Sequence, residues 1–355
     1  SKKEGGKIFG SGSRTPTAIT ILVKDGSDNH KLYYKDIKSY LSRSEKLETI
    51  RETTSIQNIQ WKEIIPDKQN NWINQIDNDY MNFSALFAKN TTAIMKKQFT
   101  GVYVSRDNWL VGFNKKKVET NAKTLILNYN SEIKRLKNVA DPKKRLELRN
   151  TSEKFIKWSA KLNNMFKKGQ SLGLTGKVVP IMQRPFTKKW LYWDNDLNER
   201  PSKYRDIYKY MGKILYMQGA GSKKDFSALI TDQLPSLQLN YNGKGFPEYI
   251  SKDNFGKITN INSKWLNKNK FNIDDGLAYV YAMLNSKEYR RKYHNDLLKD
   301  YPHVPIVKDK DKYVEIGKKL ISLHLNYEQV PVYSNVRVLK NYNDFSVEKM
   351  NFGEK

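Results

Sequence analysis

The stretch QRPFTKKWLYWDNDLNE, residues 183–199, reads as a basic turn that feeds an aromatic strand and then a second polar turn. Trp190, Tyr192 and Trp193 alternate along that strand, so at least one set must lie in a core. Around it, the short apolar runs VVPIM, WLYW, KILYM, ALI and LQLNY lie between about 170 and 262. Gly169, Gly173, Gly176, Gly219, Gly221, Gly243, Gly245 and several prolines interrupt them. Short runs punctuated by turn formers predict a mostly β, loop-rich module.

The flanks read differently. Residues 115–168 carry apolar positions at helical spacing (Val118, Leu125, Ile126, Tyr129, Ile133, Leu136), with a break at Asp141-Pro142. Phe155, Trp158, Leu162 and Phe166 continue the pattern on one face. Residues 272–300 are strongly helical, and Asn285–Glu288 has the form of a capping box ahead of Tyr289, Tyr293 and Leu297. A further helix is expected over Tyr313–Leu325 and a strand over 331–340. Towards the N-terminus, TAITILVK (17–24) and KLYYKDI (31–37) flank Asp25-Gly26 and predict a β-hairpin. A helix is expected to start at Ser42 or Ser44, with Leu47 and Ile50 on one face, and another around Asp79–Ala88. Asp107-Asn108, between GVYVSR and WLVGF, predicts a second hairpin. The fold class is α+β.

Charge points to the partner. The chain has 64 Lys plus Arg against 37 Asp plus Glu, a formal +27 over 355 residues. Such an excess repels itself in the folded state and favours a polyanion, with nucleic acid first because bound cations release counterions condensed on phosphates. The 22 Tyr, 14 Phe and 7 Trp are interleaved with the basic residues, where rings can stack on bases or pack a core. Cysteine is absent, which excludes disulfides, Cys-ligated zinc and a thiol nucleophile. No apolar run approaches the ~18 residues of a membrane span, and a cytoplasmic location is expected. The chain opens without methionine and runs at once into KIFGSGSRTPTAITILVK, which reads as entry into the middle of a larger protein.

Catalytic motifs are missing. Phe9-Gly-Ser-Gly12 has the look of a cofactor loop but leads into a strand rather than a helix. Gly219–Lys224 is glycine-rich and basic without the spacing of a P-loop. The histidines (30, 294, 303 and 324) are scattered. Asp194, Asp196, Asp274 and Asp275 sit where caps and turns belong, though they are the best carboxylates for a metal-dependent nuclease. No catalytic, cofactor-binding or metal site is expected in this chain.

Several segments together resemble one family: KEGGKIFGSGSRTPTAITILVKDG (3–26), HKLYYKDIKSYLSRSEKLETI (30–50), QWKEIIPDKQNNWINQ (60–75) and the opening stretch. KDFSALITDQLPSLQL (224–239), DDGLAYVYAMLNSKEYRRKYHNDLLKDYPHVPIV (274–307) and GKKLISLHLNYE (317–328) continue it in order. They are similar to the C-terminal portion of Type ISP restriction-modification enzymes. The resemblance implies that 1–60 are the terminal strands of an adenine-N6 methyltransferase domain, so that the first hairpin is a remnant of its sheet. Residues 61–168 would be the largely helical part of a target-recognition domain, 169–262 its DNA-reading module, and 263–355 a helical part ending in a strand. S-adenosylmethionine, ATP and Mg would serve the parent enzyme's other domains.

Arg or Lys on guanine and Asn or Gln on adenine read duplex DNA. The candidates are Gln183, Arg184, Lys188, Lys189, Gln218, Lys223, Lys224, Asn240, Asn242 and Lys244, with Arg14 and Arg290 as phosphate contacts. The expected partners are double-stranded DNA and the upstream domains of the same polypeptide, the protein being a monomer. A nonspecific nucleic-acid binder and a metal-dependent nuclease are the alternatives.

Overall fold

In a computed structural model, residues 17–28, 30–37, 41–68, 70–73, 75, 79–89, 92–221, 225–331 and 334 are described. The chain divides into two compact units, Ser1–Asn78 and Asp79–Lys355.

In the first unit, β1 (Leu32–Tyr34) and β2 (Lys62–Ile64) form an antiparallel pair around α1 (Arg43–Thr53). The start of α1 follows from its sequence: the Ser42 Oγ accepts from Glu45 N while the Glu45 carboxylate accepts from Ser42 N at 2.6 Å. The expected hairpin between 17–24 and 31–37 does not form. Residues 17–25 carry no strand, and Ile19, Leu22 and Val23 are 79%, 87% and 81% exposed. A β-prone run pairs only where a neighbouring edge is presented, and β1 takes β2 instead. The FGSGSR segment and most of 331–340 lie outside the described residues.

The second unit opens with β3 (Ser84–Ala85), β4 (Phe99–Thr100), α2 (Asp107–Leu110), β5 (Val111–Gly112), α3 (Lys115–Arg135), α4 (Pro142–Glu147) and α5 (Ala160–Lys167). Three expectations fail in it. Asp79–Ala88 holds one 3-10 turn at Tyr80–Asn82 and then β3, because its backbone is drawn to neighbours: Leu86 N donates to Pro302 O at 2.7 Å. Asp107-Asn108 opens a short helix rather than a hairpin. The Arg106 side chain, 1% exposed, turns inward to the carbonyls of Lys157 and Leu197 and to the Ser159 hydroxyl. The flanking segments pair elsewhere instead of with each other: Val102 N donates to Pro235 O and Val102 O accepts from Leu237 N, while Val111 pairs with Leu191. Burial lowers the Arg106 guanidinium to about 10, still protonated at neutral pH. The 115–168 stretch is three helices, and Phe155 and Trp158 precede α5 rather than sharing its face.

The central module is β-rich as expected: β6 (Lys177–Arg184), β7 (Thr187–Trp193), β8 (Ile214–Met217), β9 (Ala228–Thr231), β10 (Leu234–Pro235), β11 (Lys244–Pro247), β12 (Tyr249–Asp253) and β13 (Gly256–Thr259). One sheet runs β10-β6-β7-β5 and a second β4-β11-β8-β9. Pro180 is tolerated inside β6 because it pairs only with Trp190 of β7, the short β10 covering Ile181 and Met182 alone.

Helices α6 (Ser263–Asn269), α7 (Ile273–Asn285), α8 (Lys287–Lys292) and α9 (His294–Lys299), then β14 (His303–Val304) and α10 (Lys310–Leu325), complete the described fold. The cap of α8 is Ser286, whose Oγ accepts from Tyr289 N, while Asn285 ends α7. The second sheet separates two cores. Ile214, Tyr216 and Leu229 face a core shared with α3 and α5, whereas Leu215, Met217, Ala228 and Ile230 face one shared with α7 and α10. Both faces being covered, KILYM and ALI show no polar alternation. Helix α7 is buried from Gly276 to Leu284, and a Cβ at Gly317 of α10 would lie 2.0 Å from the Ala278 carbonyl oxygen. Only glycine permits that approach.

Candidate nucleic-acid interface

The β6–β7 hairpin and the 236–243 loop leave the first sheet at the same end. Strand β10 runs parallel to β6, with Leu234 opposite Ile181 and Pro235 opposite Met182. Beyond that pair β6 continues to Arg184, while Ser236 N bonds Met182 O at 3.1 Å and the chain enters its loop.

The hairpin turn is Pro185-Phe186, closed by the pair Arg184–Thr187. Proline suits the first turn position, but Phe186 takes φ +54, a conformation that favours glycine and costs a larger residue on the order of 1–3 kcal/mol. Its ring packs edge-on against His324 and Tyr327, with centroids 5.1 and 5.3 Å away. Lys188 lies 3.0 Å from the Glu328 carboxylate and over the Tyr327 ring. Lys189 lies 4.6 Å from the Phe113 ring centroid. The C-terminal end of α10 and the residues just after it therefore brace this turn. His324 Nδ1 is 2.5 Å from the buried Tyr281 hydroxyl, and burial lowers its pKa.

Arg184 is exposed at the tip, one guanidinium nitrogen donating to Gln183 O at 2.7 Å. Gln183 is 6% exposed, its amide donating to Asp107 at 2.7 Å, so it serves the interior. Gln218, 4% exposed, is likewise committed: it donates to Asp225 O at 2.6 Å and accepts from Ser227 N at 2.9 Å. Asn240 donates to Ser227 O and accepts from Ser227 Oγ, both at 2.9 Å. Backbone polar groups at 225–227 need partners, and these amides supply them. Gln218 and Asn240 thus spend their amides on the 225–227 segment, while Gln183 donates to Asp107 and its buried Oε1 has no partner among the described residues. Lys244 Nζ donates to Thr100 Oγ1 at 3.0 Å across β4 and β11. Asn242 is exposed at φ +50, and its side chain has no partner among the described residues. The turn behind it is tight: a Cβ at Gly243 would meet the Tyr216 ring at 2.3 Å. Lys223, Lys224 and Arg14 lie outside the described residues. Arg290 donates to Leu284 O and to Asn285 Oδ1 at 2.6 and 2.7 Å, closing the end of α7.

Tyr192 and Trp193 are both core, at 2% and 0% exposure, while Trp190 is half-buried under the Lys115 ammonium. Asp194 is 1% exposed and its carboxylate holds the amides of Asp196 and Leu197, a turn role. Asp274 and Asp275 sit in the first turn of α7 and pair with Lys213 and Lys318. Burial would lower Lys213, but hydrogen bonds to Asp274 and Glu248 outweigh it and raise its pKa. Among the described residues no cluster of three acidic or histidine side chains could hold a metal. An open concavity of about 720 Å³ beside Arg106, Asp107 and Lys157 contains none of the candidate residues. Sequence reasoning missed Phe186 and the brace at 324–328, because pairing between residues 140 positions apart, as in Lys188–Glu328, leaves no local signal.

The model of the Type ISP C-terminal specificity domain matches residues 93–355, and the chain belongs to that family. Among solved structures, it is similar to a nuclease-deletion mutant of the Type ISP restriction-modification enzyme LlaGI in complex with a DNA substrate mimic. That likeness has 40% identity and a TM-score of 0.75, covering 94% of this chain and 27% of that one. The DrdV–DNA complex matches with 27% identity and a TM-score of 0.72, over 86% of this chain and 32% of that one. The ATP-dependent Type ISP enzyme LlaBIII bound to DNA matches with 27% identity and a TM-score of 0.67, over 88% and 21%. This chain thus spans less than a third of each of these proteins. No curated protein matches it. Among the described residues no helix is long and apolar enough to cross a membrane.

Proposed function

We propose that this chain reads a specific sequence in double-stranded DNA for a Type ISP restriction-modification enzyme and has no catalytic step of its own. The observation that carries the reading is the specificity-domain match over 93–355, supported by similarity to two structures bound to DNA and one in complex with a DNA substrate mimic. The formal +27 supplies the attraction to phosphates, which positions the duplex without reading it. Arg184, exposed at the last position of β6, and Asn242, exposed on the 236–243 loop, are the readers. A guanidinium suits guanine and an amide suits adenine. Lys188, Lys189 and Lys244 flank them and serve the backbone, with Lys223 and Lys224 assigned the same role from sequence.

Residues 1–60 belong, in this reading, to the end of an adenine-N6 methyltransferase sheet, which accounts for exposed apolar side chains at 19–23. The remainder divides as a largely helical 61–168, a reading module 169–262 and a helical 263–355. Methylation, translocation and cleavage then fall to domains that use S-adenosylmethionine, ATP and Mg, and the enzyme works as a cytoplasmic monomer. Selection from a randomised duplex library at about 0.15 M salt tests the reading. A short asymmetric motif is the expected result; binding without enrichment would overturn sequence-specific reading by this chain.

A further inference from the structure

A second hairpin stands apart from the candidate site. Strands β12 and β13 form their own two-stranded sheet, and the turn between them is Asp253-Asn254-Phe255-Gly256. Phe255 is 99% exposed, the most exposed large apolar side chain among the described residues. Its position is set rather than loose. The Asp253 carboxylate accepts from Phe255 N at 2.9 Å and from Gly256 N at 3.1 Å, and Gly256 takes φ +132. Aspartate first and glycine fourth is the residue pattern of a type I turn.

The base of the ribbon is fastened. Tyr249 N bonds Met211 O at 3.2 Å, Lys96 Nζ donates to Thr259 O at 3.0 Å, and the fully buried Asn260 side chain holds both backbone groups of Lys97. A two-stranded ribbon has little stability alone, so this anchoring lets the tip project. Lys252 and Lys257 are directly opposite one another in the strand register and both exposed, the Lys257 ammonium lying 5.1 Å from the centroid of the Tyr249 ring. Like charges in that register destabilise a strand pair. With a polyanion between them the same register becomes favourable. An exposed ring costs hydration free energy, and two facing cations cost repulsion; a stacked, phosphate-edged partner relieves both at once.

We infer that Phe255 is an apolar wedge that enters the base stack of duplex DNA, with Lys252 and Lys257 on the flanking phosphates. The inference rests on the proposed DNA-reading function and adds a second, sequence-independent contact that bends the duplex. Flexible pyrimidine–purine steps are its preferred place of entry.

The test uses the full 355-residue chain and a set of duplexes carrying the selected site with 2-aminopurine placed at each step in turn. The wild type should raise the fluorescence at one step, where a base is unstacked. F255A should abolish that rise while binding within roughly tenfold of the wild type, and F255L should retain most of it. Replacing Lys252 and Lys257 together by alanine should reduce the slope of log affinity against log salt by about 2. An F255A chain with an unaltered fluorescence rise overturns the wedge, whatever the lysines do. Should F255A leave DNA binding untouched in every respect, the ring belongs to a protein surface. Failure of the wild-type chain to bind any duplex overturns the wedge and the proposed function together, whereas loss of the wedge alone leaves sequence selection intact.

Discussion

Two hairpins in this molecule carry a phenylalanine in a turn edged by lysines, and their surroundings differ. At Arg184–Lys189 the Phe186 ring is held by His324 and Tyr327, and Lys188 is paired with Glu328. At Lys252–Lys257 the ring meets solvent and the lysines face each other. Local sequence is alike, since both combine a turn former, an aromatic and cations. What separates them is the brace from the end of α10 and the residues after it. A braced turn holds one geometry and suits base reading, where a misplaced donor loses its partner. An unbraced tip on an anchored ribbon suits insertion.

The largest effect should come from unseating the brace. Gly317→Ala places a methyl against the Ala278 carbonyl and should cost about 1–3 kcal/mol or more in a thermal or urea melt. Hydrogen exchange should then rise at the 184–188 turn and stay unchanged at 253–257. Equal loosening of both turns would end the distinction between them.

Arg184→Ala should cost roughly 1–3 kcal/mol of binding and relax one base pair in the selected motif, read by repeating the library selection. Phe255→Ala should leave the motif intact. A shift in the same base pair with both variants would merge the two hairpins into one site.

Acidity should act on the braced turn. Burial holds His324 below its ordinary 6.5 in the fold, so the unfolded chain takes up the proton first. Stability is therefore full above about pH 6.5 and falls as pH drops beneath it. His303, also lowered by burial, adds to the loss in the second core. Melting between about pH 5 and pH 7 should show the decline, and His324→Gln should flatten part of it.

The smallest effect concerns Glu328→Gln. Its carboxylate is more than half exposed although Lys188 is partly buried, so stability should change by less than ~1 kcal/mol. Freed of its carboxylate, Lys188 should bind DNA more tightly and more salt-dependently, seen in a titration at several salt concentrations. No change in affinity would remove Lys188 from the phosphate contacts.

Much of the architecture is legible locally. The start of α1 at Ser42 follows from a Ser and a Glu three residues apart, and the broken helical stretch of 115–167 from Asp141-Pro142. The β-rich middle follows from apolar runs between glycines and prolines. The hairpins expected at Asp25-Gly26 and Asp107-Asn108 fail differently, the first because its leading run finds no edge and the second because the turn residues open a short helix. A turn signal reports only that the chain reverses, whereas pairing depends on which edge stands nearby. At the candidate site the same limit applies. Residue type nominated Gln183, Gln218, Asn240 and Asn242 alike, and burial set them apart.

From composition alone the chain was bound to meet a polyanion, because +27 cannot be neutralised within it; the absence of cysteine and of spaced ligands removed whole classes of chemistry. Family membership too was readable, since ordered segments such as 183–199 and 274–307 survive as local strings. The tertiary structure decided which amides were consumed by backbone groups at 225–227, that β8 faces two cores, and that one phenylalanine is braced while another is bare. Those outcomes depend on residues far apart in the chain competing for the same partners and the same space, and adjacency along a sequence carries no record of that competition.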